Sequence, residues 1–280
     1  VHPASTPPQR STGARIVTAI VAVLLIAGTV TLYLVIAHAH VVTDPDDMAG
    51  ILSSYAGMGL LVCLVFAILS GPIIRSLVRL IKTLPFAGTA GFLASREANA
   101  RPQLTQALVV PITLAAAAVG IMAAWINELT TVMAAQAGSQ EKVTAPPRPM
   151  ALLLGGPVIV ACVCASAIVF ATASHRRADN ALLLVSGATP GAIRAKAVVE
   201  AGIHAGVCLV CAYGIVVVND VSMAKALSAG PIPSVPVLAP GWQAAGVVAL
   251  GITLTLALLL GVTAEGMHRN PVTTITGGHQ

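Results

Sequence analysis

A helix that crosses a bilayer needs about 20 largely apolar residues in a row. Six stretches of this chain qualify: Ile16–Ala39, Met48–Ile74, Leu104–Met133, Met150–Ser174, Ala197–Val218 and Trp242–Val262. Only 9% of the 280 residues are charged and 56% are hydrophobic, whereas a soluble domain carries about 25% charged residues. The expected fold is an all-α membrane protein with six transmembrane helices. Aromatics make up only 3%; Ala, Val, Leu and Gly supply the bulk, which suits close helix packing in lipid. The first run follows Arg10 and Arg15 and ends on Ala37-His38-Ala39, which is also the layout of a signal peptide. Its apolar stretch exceeds the about 7–15 residues of a signal core, so it is read as a retained span.

Orientation follows from the cations. With the N-terminus inside, the inner segments hold Arg10, Arg15, Arg75, Arg79, Lys82, Arg96, Arg101, Arg176, Arg177, Arg194, Lys196 and Arg269. The outer loops hold only Lys142, Arg148 and Lys225. The positive-inside rule then sets a multi-pass cell-membrane topology with both termini cytoplasmic, including tails at 1–15 and 271–280. The same distribution accounts for the net charge of +5 without a nucleic-acid partner. The outer loops are short and proline-rich, with no room for a folded domain.

Cys63, Cys162, Cys164, Cys208 and Cys211 all lie inside apolar runs. Their spacing lacks the additional Cys or His that a zinc site requires, so they read as small buried residues rather than metal ligands. No phosphate-binding G-x-x-x-x-G-K-[ST] loop, H-E-x-x-H or G-x-S-x-G is present. The chain is therefore not expected to hydrolyse ATP alone, to act as an enzyme or to hold a cofactor.

Between the second and third spans, Arg75, Arg79 and Lys82 recur at helical spacing, while Leu77, Leu80, Ile81 and Leu84 fall on another face. This pattern predicts an amphipathic helix at the inner surface. A second short helix is expected over Phe92–Ala100, ended by Arg101-Pro102. The plainer reading is a solvated loop whose cations fix topology.

Residues 176–196, RRADNALLLVSGATPGAIRAK, form the most sharply punctuated stretch. Asp179-Asn180 is suited to cap a helix start, with Ala181, Leu182, Leu183, Leu184 and Val185 as its apolar body. Gly187 supplies a left-handed stop. Thr189 then caps a new helix with Pro190 at its first position. The apolar body is too short to span. Physical reasoning leaves two uses open: a re-entrant kink tucked into the bundle, or a knob that docks a soluble partner.

The longer segment HRRADNALLLVSGATPGAIRAKAVVEAG resembles the cytoplasmic signature of FtsX-like permeases, the MacB/LolC-type membrane subunits of ABC transporters. The residues that carry the resemblance are Arg176, Arg177, Asp179, Ala181, Leu182, Leu183, Gly187, Ala188, Thr189, Pro190 and Glu200. The family most often has Glu at the position of Asp179, Arg at that of Leu184 and Gln at that of Ala192. Phe92–Ala124 is similar to the elbow and first span of an FtsX-like unit. On this resemblance residues 86–270 form a four-helix unit, and 16–85 resemble the last two spans of a preceding one. The chain then matches the C-terminal part of a two-unit permease: a truncated, split or shortened form. The resemblance implies that the helix near 179–187 is a coupling helix seated in a separate ATPase subunit, and that a second permease chain or a homodimer completes the transporter. The implied work is export or extracellular mechanical work in membrane lipid. The alternative is a truncated or degenerate permease acting as a non-transporting regulatory partner. A secondary transporter is disfavoured, because charged or broken helices at mid-membrane are almost absent.

Three further features stand out. Glu200 and His204 lie one turn apart, with Arg194, Lys196 and His204 within reach of the carboxylate. Gly202 and Gly206 form a GxxxG packing motif. Glu128, beside Asn127 near the outer end of the third span, is a candidate substrate-side residue, although an interfacial position also tolerates it. Glu265, His268 and Arg269 read as a local cluster past the last span.

Overall fold

The computed structural model describes residues 12–38, 45–82, 89–136, 147–228 and 242–268. Apart from Arg101 and the turn at 186–189, all of these are helical. Seven helices follow one another: α1 (Thr12–His38), α2 (Pro45–Lys82), α3 (Thr89–Ala100), α4 (Pro102–Gln136), α5 (Pro147–Val185), α6 (Pro190–Ser228) and α7 (Trp242–His268). Five contain stretches long and apolar enough to cross a membrane: Val17–Val35, Gly57–Ile81, Pro102–Ile126, Gly155–Ser174 and Pro190–Val221. Within α7 the apolar stretch among the described residues is shorter, Ala245–Gly261. This is the architecture of an all-α, multi-pass membrane protein. Most of the expected outer loops, residues 1–11 and the tail 271–280 lie outside the described residues, whereas Thr12–Arg15, expected as tail, form the first turn of α1.

Pro72, Pro111 and Pro157 sit inside α2, α4 and α5 without ending them. A bilayer offers the backbone no water to turn to, so a helix continues past a proline that it would break on in solution.

The bundle is organised around α4, which packs against α2, α5, α6 and α7. Its face of Val109, Thr113, Ala116 and Ala117 is completely buried. Small residues at these positions let neighbouring backbones come close. The tightest approaches use glycine: a Cβ at Gly251 of α7 would stand 3.0 Å from Ile112, and one at Gly59 of α2 would stand 3.0 Å from Ile121. Polar links reinforce the same interface. Gln106 of α4 donates from Nε2 to Ser70 Oγ of α2 at 2.8 Å, and the Cys208 thiol of α6 donates to the Val109 carbonyl at 3.7 Å. By contrast, α1 lies at the edge; Ala22 is the one buried residue among its described side chains.

Two expectations need correction. The amphipathic helix anticipated at residues 75–84 is not separate, because α2 runs on to Lys82. No Gly or Pro lies between Pro72 and Lys82 to interrupt it, and Ile74 and Val78 carry the buried stripe onward. Arg75 and Arg79 are exposed near the end of the helix, where long cationic side chains can snorkel toward water. The second short helix is present as α3, which ends at Ala100 before Arg101-Pro102 as expected, and α4 starts at Pro102, two residues ahead of the expected span. Likewise, no new helix begins at Asp179-Asn180. Between Pro157 and Gly187 the chain holds neither Gly nor Pro, so α5 continues unbroken and the apolar body 181–185 is its last turn and a half.

Candidate functional site at the charged end of the bundle

The turn between α5 and α6 is closed at both ends by backbone chemistry. Gly187 has φ +95°, a conformation that costs a residue with a Cβ about 1–2 kcal/mol. Around it, the Ala188 N–H donates to the Leu183 carbonyl at 2.9 Å and the Gly187 N–H to Leu184 at 3.0 Å. This pair of bonds is the Schellman arrangement that satisfies the last carbonyls of a helix. The Ser186 hydroxyl adds a bond to the Leu183 carbonyl at 2.8 Å. On the far side, Thr189 Oγ1 accepts from the Ala192 N–H at 3.3 Å, and Pro190 opens α6. The expected stop, cap and restart are all present.

The tip that these bonds hold is two-sided. Asn180 and Ala181 are buried, and Leu183 and Leu184 are half-buried. Leu182 is 59% exposed and Val185 68% exposed. These two lie at i and i+3 and make one apolar face that no part of the described chain covers.

Behind the tip, three ion pairs tie together four segments. Arg176 of α5 donates from Nη1 to both oxygens of Glu200 on α6, at 2.8 and 3.0 Å. The two side chains are 17% and 5% exposed, so this is a buried pair. Arg176 Nε also donates to Thr172 Oγ1 at 3.4 Å. Lys196 of α6 pairs with Glu97 of α3, again largely out of water. Arg101, in the link from α3 to α4, pairs with Asp179 of α5 at 2.9 Å, with side chains 40% and 34% exposed. Three cations thus meet three anions, so the set is neutral. His204, one turn above Glu200, is buried beside it, facing a small enclosed space of about 20 Å³ shared with Thr105, Thr172 and Arg176.

The Lys196–Glu97 pair forms because α3 packs against α6. Its face of Gly91, Ala94, Ser95 and Ala98 is buried. These residues recur at the i, i+3, i+4, i+7 spacing of one helical stripe. The Thr105 hydroxyl donates to the Ala98 carbonyl at 3.3 Å, fixing the start of α4 against the end of α3. On the outer face, Arg96 stacks over the Phe92 ring with its guanidinium 5.6 Å from the centroid.

Several sequence expectations meet this geometry differently. Asp179 is an ion-pair partner rather than a helix cap. Glu200 binds Arg176, and not Arg194, Lys196 or His204. Glu97 drew no attention from sequence, since its four-residue spacing from Arg101 suggests a local pair; both instead reach other helices. Arg177 of α5 is half-buried. Gly202 and Gly206 have open space beside them, with nothing within 4 Å of a Cβ at either. Their motif therefore serves no helix contact among the described residues. Glu128 lies in α4, and Glu265 and His268 in α7, but their side chains are outside the described set. Among the described residues no group of three or more His, Cys, Asp or Glu is placed to hold a metal.

Chemically, the arrangement holds no nucleophile–base pair. It joins an exposed apolar tip to a rigid ionic base, and through that base to α3, α4, α5 and α6. No family model, curated protein or solved structure matches this chain.

Proposed function

We propose that this chain is the membrane permease subunit of an FtsX-like ABC transporter. On this reading it lies in the cell membrane with six spans and both termini cytoplasmic, α3 is the elbow, and the end of α5 is the coupling element. A separate cytoplasmic ATPase binds that element, and a second permease chain or a second copy completes the transporter. ATP-driven closure of the ATPase subunits is converted into export or extracellular mechanical work.

The observation that carries the reading is the α5–α6 tip. Its apolar face of Leu182 and Val185 is presented on a helix end fixed by Gly187 and Thr189, and its root is clamped by the Arg176–Glu200 and Arg101–Asp179 pairs. A displacement imposed on such a tip moves α5 and α6 rather than bending a loop. Burying each of the two side chains against a partner is worth about 1.5–3 kcal/mol. The resemblance of residues 175–202 to the family signature supplies the identity of that partner.

The second reading, a non-transporting regulatory partner, rests on Leu184. An arginine is usual there, and the side chain in this protein is apolar and half-buried, leaving the tip without that cation. The two readings separate on co-purification from native membranes. A tagged full chain is expected to bring down a subunit that hydrolyses ATP, and Leu182→Asp is expected to lose it while remaining folded. An intact chain that recovers no ATPase activity refutes the transporter reading.

A further inference from the structure

A groove of about 720 Å³ runs between α1, α2 and α6. That size is within the about 300–1,000 Å³ typical of small-molecule sites. Along α2 it extends from Val62 to Leu77, about 22 Å at the helical rise of 1.5 Å per residue. One leaflet of the hydrocarbon core is about 15 Å deep, so the groove is long enough for one extended acyl chain.

Its walls select hydrocarbon. Apart from Thr29 and Ser76 every lining side chain is apolar, and the Thr29 hydroxyl is already committed to the Leu25 carbonyl at 2.8 Å. The lining residues fall inside the apolar stretches of all three helices, so what enters comes from the bilayer. α1, α2 and α6 each touch the other two, so the groove is a cleft between packed helices.

Ser76 and Leu77 are the lining residues nearest the end of α2. One turn on, at i+3 from Ser76, Arg79 is exposed, and no acid among the described residues pairs with it. We propose that the α1–α2–α6 groove binds one acyl chain of an anionic phospholipid, with the headgroup phosphate on Arg79. Assignment to the cytoplasmic leaflet rests on the orientation proposed above; the binding itself requires nothing about transport.

Gly214 offers a direct test. It lines the groove, and a Cβ there meets nothing within 4 Å, so Gly214→Leu sets a branched side chain across the path of an acyl chain. The full chain, without any ATPase, is reconstituted into nanodiscs of equal phosphatidylglycerol and phosphatidylcholine, and the ejected protein is weighed by native mass spectrometry. The wild type is expected to retain one phospholipid, phosphatidylglycerol being favoured about fivefold, the contribution of one arginine near an anionic surface. Gly214→Leu is expected to retain none, and Arg79→Gln to retain one without preference. The proposal is overturned if the wild type retains no lipid, or if Gly214→Leu retains as much as the wild type. It is equally overturned if the retained mass is a second copy lost on Gly214→Leu, and its headgroup assignment falls if Arg79→Gln leaves the preference intact. Because no ATPase is present, failure here is separate from failure of the transporter reading.

Discussion

Replacing Arg176 by methionine removes one half of the buried pair and leaves the Glu200 carboxylate facing a space with no cation at contact distance. At 2.8 Å and an effective dielectric of about 20, the lost attraction is about 6 kcal/mol. Much of that is offset in the intact protein by the desolvation of both groups. The net cost of breaking a buried pair from one side is about 3–5 kcal/mol. For a chain of this size, that corresponds to a fall of about 6–20 °C in melting temperature. The double substitution Arg176→Met/Glu200→Leu removes the stranded charge as well and is expected to recover most of the loss, to within about 1 kcal/mol of the wild type. The assay is thermal unfolding in mild detergent read by a thiol-reactive fluorescent dye. Cys164 is exposed and Cys63 and Cys162 are half-buried, so these three are replaced by alanine in every variant; Cys208 and Cys211 are free and buried, and label only as the bundle opens. The reasoning is refuted if Arg176→Met shifts the transition by less than 2 °C, or if the double variant is as unstable as the single one.

The same assay reads the other contacts. Arg101→Ala breaks a half-exposed pair and is expected to cost at most about 1 kcal/mol, well below Arg176→Met; an equal loss would contradict the distinction between buried and exposed pairs. Gly251→Leu drives a side chain into Ile112 and is expected to cost about 1–3 kcal/mol. Gly202→Leu and Gly206→Leu point into open space and are expected to stay within about 0.5 kcal/mol of the wild type; reversal of that order in the melting temperatures would refute the packing described. Gly187→Ala forces a Cβ into the left-handed region, with an expected cost of about 1–2 kcal/mol. Gly187→Asn is expected to be milder, and equal losses would show that backbone conformation at the turn is not the cause.

The helices were legible because length and apolarity alone demand them, and the α5–α6 turn because Gly187, Thr189 and Pro190 act locally. What sequence could not show is which charged groups meet. Glu97, Lys196, Arg176, Glu200, Arg101 and Asp179 are spread over more than a hundred residues, and each has a nearer candidate partner or role in sequence. Only the packing of α3 on α6, of α5 beside α6 and of the α3–α4 link beside α5 brings the true partners together. The continuity of α2 and α5 past their polar stretches was missed for a related reason. A change from apolar to charged residues marks where a helix leaves hydrocarbon, whereas only Gly, Pro or a competing cap marks where it ends. The Gly202–Gly206 motif shows the converse, since spacing identifies a smooth face but not whether a helix of the same chain lies on it.

The central claim is that the α5–α6 tip receives an ATPase. Its most direct test is cross-linking in native membranes from Val185→Cys, in a variant whose five native cysteines are replaced by alanine, with Gly202→Cys as control on the open face of α6. The account predicts a cross-link from residue 185 to an ATP-hydrolysing subunit, lost when Leu182→Asp is added, and no such product from residue 202. An ATPase that cross-links equally from both positions, or from neither, would contradict it.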